Sequence, residues 1–139
     1  VRLVENQSGR FESRCLMVKV CNDNSILFKG MSGDVLNVWV SHHEGQINVP
    51  VHDERLVVLR YVDQKGKETE RYPWNPNGSI GGATGMCDES GRHFGMMPHL
   101  ERSFLNWQMP YGGGEGNYTK WFKCVLNAYN WCIDGGKKI

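Results

Sequence analysis

The sequence predicts an α/β fold that is rich in strands and ends in one long helix. Apolar residues alternate with other residues over positions 11–21, a period of two that is typical of a strand. Turn-forming Gly, Pro, Asn and Asp residues separate further short apolar runs. Near the C-terminus, apolar residues recur at helical spacing instead. Because one helix is too few for a doubly wound sheet, we expect the later half of an α/β domain whose earlier strands and helices are absent.

The next predicted elements are a buried strand and a hairpin. Residues 35–40 are apolar except for Asn37, which predicts a strand with both faces buried in the complete domain. Residues 56–62 are predicted to form another strand. The Gln-Lys-Gly-Lys turn at 64–67 then leads into residues 68–72, and this composition predicts a β-hairpin.

The last predicted elements are a loop, a second hairpin and the helix. Residues 73–82 contain two Pro and three Gly, which indicates a loop. Residues 83–87 and 92–97 are predicted to pair about an Asp-Glu-Ser-Gly turn. The helix is predicted over 121–133, and the glycines at 135 and 136 supply its stop. The apolar residues whose spacing indicates this helix are Phe122, Val125, Leu126, Tyr129 and Cys132 or Ile133.

Composition excludes several classes of function. The 139 residues include 16 basic and 15 acidic side chains, so charge gives no case for binding nucleic acid or an anionic membrane. No apolar run approaches the roughly 20 residues of a membrane-spanning helix. Five cysteines without Cys-x-x-Cys spacing argue against a disulfide framework and a zinc site. Cysteine usage therefore favours a reducing, cytoplasmic setting.

A histidine and a glutamate two residues apart follow an apolar run and a proline. His99 can transfer a proton near neutral pH. Glu101 can orient the imidazole and stabilise its protonated form. The pair supplies two members of a nucleophile–base–acid triad. The nucleophile should be a Ser or Cys on a tight strand-to-helix turn, and none of the five cysteines has such a context.

A polar segment follows the strand predicted at 35–40. A polar turn is the simplest interpretation of Ser41, His42, His43 and Glu44. Adjacent histidines suggest a metal site, but consecutive strand residues point to opposite faces, so we expect no metal here.

Charged residues at the start of the first strand predict an ion pair. Glu12 is expected to pair with Arg10 or with Arg14. The alternative is that this segment shapes a pocket floor or a contact with a neighbouring domain. Asn75, Asn77 and Ser79 are expected in a surface loop by default.

Five sequence motifs, in order, carry a family resemblance. They are N-Q-S-G-R-F-E-S-R at 6–14, S-H-H-E-G at 41–45, R-Y-V-D at 60–63, Y-P-W-N-P-N-G-S at 72–79 and M-P-H-L-E-R at 97–102. Together they resemble the C-terminal part of the phosphoribosylformylglycinamidine synthase family. The resemblance implies that residues 1–139 are part of a flavodoxin-like class I glutamine amidotransferase domain. It also implies that the N-terminal half of this domain, which bears the cysteine nucleophile, precedes the sequence.

The resemblance implies roles for the polar residues already singled out. His99 would be the base, and Glu101 would orient it. The segment at 41–45 would border the glutamine pocket, largely through backbone groups, and its candidate substrate-binding residues are Ser41, His42, His43 and Glu44. No metal is implied within this chain.

Two residues depart from the family pattern. Leu100 stands where the family usually has proline, which leaves the backbone between base and orienter less restricted. His43 stands where glycine is common. A positive φ at that position would strain His43.

The resemblance also implies a reaction and partners. Glutamine would be hydrolysed, and its ammonia would pass to a synthetase domain that converts formylglycinamide ribonucleotide to formylglycinamidine ribonucleotide. ATP and magnesium would bind that synthetase domain, and this chain would bind no cofactor. We expect no glutaminase activity from these 139 residues alone. Two alternatives stay open: another class I amidotransferase or γ-glutamyl hydrolase, and a non-catalytic interaction module.

Overall fold

An antiparallel five-stranded sheet organises the molecule, as seen in a computed structural model that describes residues 2–49, 51–110 and 115–136. Its strands lie in the order β3-β2-β5-β6-β7, and β1 pairs with β4 in a separate two-stranded sheet. The elements are β1 (Arg2–Val4), β2 (Glu12–Val20), β3 (Val35–His42), β4 (Gln46–Asn48), β5 (Val57–Val62), β6 (Ala83–Cys87), β7 (Phe94–Met96) and α1 (Phe122–Ile133). Short 3-10 turns connect them at Ile26–Phe28, Val51–Leu56, Ile80–Gly82, Leu100–Arg102 and Asn106–Gln108. The mixed α/β character, with many strands and one C-terminal helix, is as predicted.

The strand β3 lies at one edge of the sheet and buries only one of its faces. It pairs with β2 from Glu12 opposite His42 to Lys19 opposite Val35. Leu36, Val38 and Val40 are buried, whereas Val35 is 42% exposed. Burial on both faces, expected for this strand in a complete domain, is therefore not reached within this chain.

Only a few residues in and next to the helix α1 pack against the rest of the protein. Trp121, directly before it, is 1% exposed, lies edge-on to Phe28 and donates its indole N–H to the Asn37 carbonyl at 2.7 Å. Cys124 is also buried, and Asn127 donates to the carbonyls of residues 27 and 29. Most of the apolar residues whose spacing predicted the helix point outwards instead, since Val125, Leu126, Tyr129 and Ile133 are exposed. Phe122 is half-buried and stacks on Tyr118. No helix within the described ranges combines the length and apolar character needed to cross a membrane.

The two predicted hairpins have different outcomes. The strands β6 and β7 pair antiparallel about the Asp88 turn, as expected. The prediction of a strand over 68–72 is wrong, because only Glu68 forms a bridge, opposite Val62. The physical reason is that β5 lies between β2 and β6, so most of its hydrogen-bonding edge is already occupied.

The sheet curls so that its two edges meet. In the strand order, β3 and β7 are at opposite ends. Three residues after β7, however, His99 forms an antiparallel bridge with Trp39 of β3. The Trp39 N–H also donates to the Ser103 hydroxyl at 3.2 Å. The chain that leaves β7 therefore returns to β3, and this brings His99 beside the end of that strand.

Candidate active site

His99 and Glu101 form a hydrogen-bonded pair at the place where the sheet edges meet. Nδ1 of His99 lies 2.6 Å from Oε1 of Glu101. A carboxylate oxygen can only accept, so Nδ1 carries a hydrogen, and Nε2 is the nitrogen that can take up or release a second one. Nε2 lies 3.5 Å from the Ser41 carbonyl oxygen. The imidazole is 27% exposed, so it is accessible from solvent yet held by the protein. His99 and the segment at 41–45 therefore lie close together.

The carboxylate of Glu101 is favoured in its charged form. Partial burial acts to raise its pKa, but on balance the pKa of Glu101 is lowered by a hydrogen bond to its own backbone N–H, by the hydrogen bond and charge of His99 and by the charge of Arg102. A charged Glu101 stabilises a protonated His99 and fixes its ring orientation. The pair can therefore hold a proton at His99 and release it again.

The four candidate substrate-binding residues are divided between a strand and a turn. Ser41 and His42 are the last two residues of β3, so the predicted turn begins later than expected. His42 points inward and is 6% exposed. His43 is 39% exposed, and its ring nitrogens lie 3.5 Å from carboxylate oxygens of Glu5 and Glu44.

The two adjacent histidines differ in burial, since His42 is buried and His43 is partly exposed. Among the described residues, no group of three or more His, Cys, Asp or Glu side chains is arranged to hold a metal ion.

The two departures from the family pattern are accommodated locally. No non-glycine residue in the described ranges has a positive φ, so His43 is not strained in the way that a required glycine conformation would impose. Leu100 begins a 3-10 turn and packs against the main core, directly between His99 and Glu101.

A buried asparagine that sequence reasoning did not single out organises the segment at 41–45. Asn6 is 3% exposed. Its Oδ1 accepts from the Gly45 N–H at 3.0 Å and lies 3.1 Å from Nδ1 of His42. Its Nδ2 donates to the carbonyls of His42 and Arg10, and its backbone N–H donates to the His43 carbonyl at 2.8 Å. Asn6 therefore holds both sides of the turn at once.

Side chains of the loop at 73–82 also support the turn at 41–45 through hydrogen bonds. Asn77 donates from Nδ2 to the Gly45 carbonyl at 2.7 Å, and its Oδ1 accepts from the Ser79 hydroxyl at 2.8 Å. The Ser79 hydroxyl in turn accepts from the Ile47 N–H at 2.8 Å. Asn75, Asn77 and Ser79 are all buried, so their default placement in a surface loop is wrong. The hydrogen-bond partners of these residues are distant in the sequence, so no local sequence pattern predicts their burial. Only the ordered motifs of the family resemblance include these residues.

Gly45 is required by a close approach. A Cβ atom added at this position would overlap the His42 ring, at Nδ1, Cε1 and Cγ. The turn therefore needs glycine for space, although its φ is not positive.

The ion pair predicted for Glu12 forms with Arg14, one of its two expected partners. Glu12 is 3% exposed and lies opposite His42 in the β2–β3 ladder. Arg14 also donates to the Tyr72 hydroxyl at 2.9 Å and stacks over that ring at 4.8 Å. The buried carboxylate thus has a cation that is itself held in place.

A groove opens beside the end of β3, and it is lined in part by Ser41, whose carbonyl oxygen lies 3.5 Å from Nε2 of His99. Its volume is about 300 Å³, and Trp107 at its rim is 80% exposed. The residues that line it are Ser13, Trp39, Val40, Ser41, Arg102, Trp107 and Gln108. A groove of this size holds a small molecule such as an amino acid.

The cysteines of this chain lack the properties of an activated nucleophile. Burial raises the pKa of Cys15 and Cys87, and it raises the pKa of Cys21 to about 11 and of Cys124 to about 12. Activated thiols have a depressed pKa instead. Cys132 is exposed and lies on α1. Within the described residues, no thiol is hydrogen-bonded to His99.

Known proteins resemble this chain over nearly its whole length. A sequence profile of the CobB/CobQ-like glutamine amidotransferase domain matches residues 1–132. A phosphoribosylformylglycinamidine synthase of Dictyostelium discoideum is 41% identical over 146 positions, which cover 94% of this chain. An Arabidopsis thaliana protein named "Probable phosphoribosylformylglycinamidine synthase, chloroplastic/mitochondrial" is 42% identical over 143 positions, again covering 94% of the chain. The chain spans only 11% and 10% of the lengths of these two relatives.

A solved structure shares the fold. A chain of the PurLQS structure from Thermotoga maritima superimposes with a TM-score of 0.68 at 26% sequence identity. The match covers 94% of this chain and 52% of that chain.

Proposed function

This chain belongs to the CobB/CobQ-like glutamine amidotransferase domain family, and from that premise we propose that it carries the general base and the orienting carboxylate of a glutaminase site. Nε2 of His99 takes the proton of a cysteine thiol while Glu101 holds the Nδ1–H. The thiolate adds to the side-chain carbonyl carbon of glutamine. His99 returns the proton to the departing nitrogen, so the C–N bond breaks, ammonia leaves and a thioester remains. Water then cleaves the thioester to glutamate and restores the thiol.

The substrate lies in the groove beside the end of β3, within reach of His99 through the Ser41 end of that groove. Glutamine has the size of molecule that a space of about 300 Å³ holds. Backbone groups at 41–45 supply hydrogen bonds to it, and the Asn6 and Asn77 contacts keep those groups in place before it binds. In this proposal Ser41, His42, His43 and Glu44 border the substrate rather than react with it.

The nucleophile belongs to a preceding part of the same domain. Four of the five thiols in this chain have a raised pKa, which opposes formation of the thiolate. The 139 residues alone therefore hold the base and its orienter without the group that they serve.

The ammonia is consumed by a synthetase domain. Relatives named phosphoribosylformylglycinamidine synthase support the ATP-dependent conversion of formylglycinamide ribonucleotide to formylglycinamidine ribonucleotide, a step of purine biosynthesis. ATP and magnesium bind the synthetase domain in this proposal, and this chain contributes no ligand to them. The proposed location is the cytoplasm, on the ground of five unpaired cysteines.

The observation that carries the proposal is the 2.6 Å contact between Nδ1 of His99 and Oε1 of Glu101, with Nε2 turned to the Ser41 carbonyl. The test is His99→Ala in the full-length synthase that contains this chain. Turnover with glutamine should be abolished, while turnover with free ammonia stays near the parent value, because His99 serves only the thioester chemistry.

The matched control is His93→Ala, since His93 is 85% exposed and pairs with Asp88 away from the groove. This variant should keep both activities. Loss of both activities in the His99 variant would make His99 structural and would contradict the proposal. A parent enzyme that uses ammonia but not glutamine would favour the non-catalytic interaction module. Glutamine hydrolysis without any nucleotide-dependent amidation would favour another amidotransferase or a γ-glutamyl hydrolase.

A further inference from the structure

The hydrogen bonds between Asn6 and its neighbours have a single consistent assignment. The Gly45 N–H can only donate, so the Asn6 atom 3.0 Å from it is the carbonyl oxygen Oδ1. The carbonyls of Arg10 and His42 can only accept, so the atom at 2.8 and 2.9 Å from them is the amide nitrogen Nδ2. Backbone groups on both sides thus fix the orientation of the Asn6 amide.

This orientation determines the tautomer of His42. Oδ1 of Asn6 offers only lone pairs, so Nδ1 of His42 at 3.1 Å must donate a hydrogen to it. Burial lowers the pKa of His42, with a further contribution from the charge of His99. A neutral ring with Nδ1–H carries its lone pair on Nε2. That atom is buried and has no hydrogen-bond partner among the described residues.

We propose that Asn6 is a positioning residue of the glutaminase site: it fixes the Nδ1–H tautomer of His42, whose buried ring stays neutral, so that His99 alone carries the proton of the reaction. The catalytic role given to Asn6 rests on the proposed function. The hydrogen bonds of Asn6 and the tautomer of His42 do not depend on it. A charged His42 would repel the protonated His99 that forms while the thiol is deprotonated. A neutral His42 leaves the stabilisation of that proton to Glu101.

The other charged groups around His42 do not alter this balance. Glu12 faces it across the β2–β3 ladder, but its carboxylate is paired with Arg14. His43 and Glu44 follow it in the turn and are more exposed, and Glu5 contacts His43 rather than His42. Two imidazoles in one site thus have separate tasks, one held neutral and one that takes up the proton of the reaction.

Nitrogen-15 NMR of the histidine rings in the 139-residue chain tests the tautomer directly. The parent protein should show a protonated Nδ1 and an unprotonated Nε2 for His42, unchanged between about pH 8 and pH 6, the range in which an ordinary histidine titrates. An Nε2–H tautomer, or a His42 that becomes charged across that range, would overturn the proposal. This measurement needs no variant, so it does not depend on whether a substituted chain folds.

Two variants distinguish a specific effect of Asn6 on the His42 ring from general support of the turn at 41–45. Asn6→Ala removes the acceptor of Nδ1, and His42 should lose the Nδ1–H signature. Asn77→Ala is the matched control, because it loosens the same turn at the Gly45 carbonyl without touching His42, and it should keep the signature. In the full-length synthase, Asn6→Ala should lower glutamine-dependent kcat about tenfold, because the role of Asn6 lies in the proton-transfer step, with ammonia-dependent kcat unchanged.

The two proposals can fail separately. An unchanged tautomer in Asn6→Ala would sink the assignment of Asn6 even where His99→Ala behaves as expected. The predicted tautomer together with a His99→Ala variant that keeps glutamine turnover would leave the Asn6–His42 geometry intact and remove its catalytic purpose.

Discussion

The backbone N–H of His99 donates to the carbonyl oxygen of Trp39 at 2.8 Å, and this hydrogen bond joins chain segments from the two ends of the five-stranded sheet. The candidate base therefore sits at a junction of edges rather than within a regular ladder. The Ser103 hydroxyl strengthens the junction, because it accepts from the Trp39 N–H and donates to the His99 carbonyl at 2.8 Å. The geometry of His99 thus depends on β3 as much as on its own strand.

Glu101→Gln should lower glutamine-dependent kcat of the full-length synthase by a factor on the order of 10²–10⁴, the range for a disabled general base. The amide can still contact Nδ1, but it cannot stabilise the protonated ring by charge. Steady-state kinetics with glutamine and with ammonia measure the effect, and the ammonia reaction should not change. Glu89→Gln, at an exposed carboxylate paired with Arg55, is the control. A Glu101 variant with parental glutamine turnover would contradict the orienting role.

Gly45→Ala should destabilise the chain by about 1–3 kcal/mol, the usual cost of forcing extra atoms into a packed site. The added methyl group overlaps the His42 ring, so either the ring or the turn must shift. Urea unfolding measures the change. Gly95→Ala in β7 is a matched control, because a Cβ there meets nothing within 4 Å, and it should stay within about 0.5 kcal/mol. Equal stability of both variants would refute the close approach.

Asp88→Asn should destabilise the turn between β6 and β7 at neutral pH but not in acid. The Ser90 hydroxyl and the His93 N–H donate to the carboxylate and hold the pKa of Asp88 well below its usual range. A group with a depressed pKa stabilises the fold above its unfolded pKa of about 3.9, and this stabilisation is lost as the pH falls through the folded value. Thermal unfolding from pH 7 downwards should show the two proteins converging. A constant difference at all pH values would mean that charge is not the cause.

A glutamine-mimicking electrophile should not label the 139-residue chain at any appreciable rate. Burial raises the pKa of four of its thiols, and the fifth, Cys132, lies on the exposed side of α1 away from His99. Intact-mass spectrometry after incubation measures labelling, and a general alkylating reagent that modifies Cys132 first serves as the positive control. Fast, stoichiometric modification of any one cysteine by the glutamine mimic would show that the nucleophile lies within this chain.

Trp121→Ala should cost about 3–5 kcal/mol of unfolding free energy, since it empties a buried aromatic site and removes a hydrogen bond to the Asn37 carbonyl. Tyr129→Ala on the same helix should change stability by less than about 0.5 kcal/mol, because its side chain is 62% exposed. Denaturant unfolding of both variants decides the point. A large loss at Tyr129 would mean that the outer face of α1 is covered.

The sequence pattern predicted where α1 lies but not which side of it faces the sheet. Helical spacing identified an apolar stripe, yet the packed positions are Trp121, Cys124 and Asn127, on the other side. Helical periodicity shows that the helix has an apolar face, but it does not show which part of the protein packs against that face. The same reasoning applies to β3, where an apolar run predicted two buried faces and this chain covers one.

The candidate site was predictable to the extent that its chemistry is local. His99 and Glu101 are two residues apart, so a base and its orienter could be recognised directly. Asn6 and Asn77 reach Gly45 across 39 and 32 residues, and such contacts exist only once the sheet has formed. An asparagine between turn-forming residues gives the same local sequence pattern in a surface loop as in a buried turn, so the sequence does not distinguish the two.

The meeting of the sheet edges also sets the order in which its parts come together. Ser41 and His99 are 58 residues apart, and the intervening chain must add β5, β6 and β7 before His99 can reach β3. On a ribosome, where the N-terminal part emerges first, β3 is therefore made well before its contact with His99 can form. The hydrogen bond from His99 to Trp39 thus marks the completion of the sheet during synthesis.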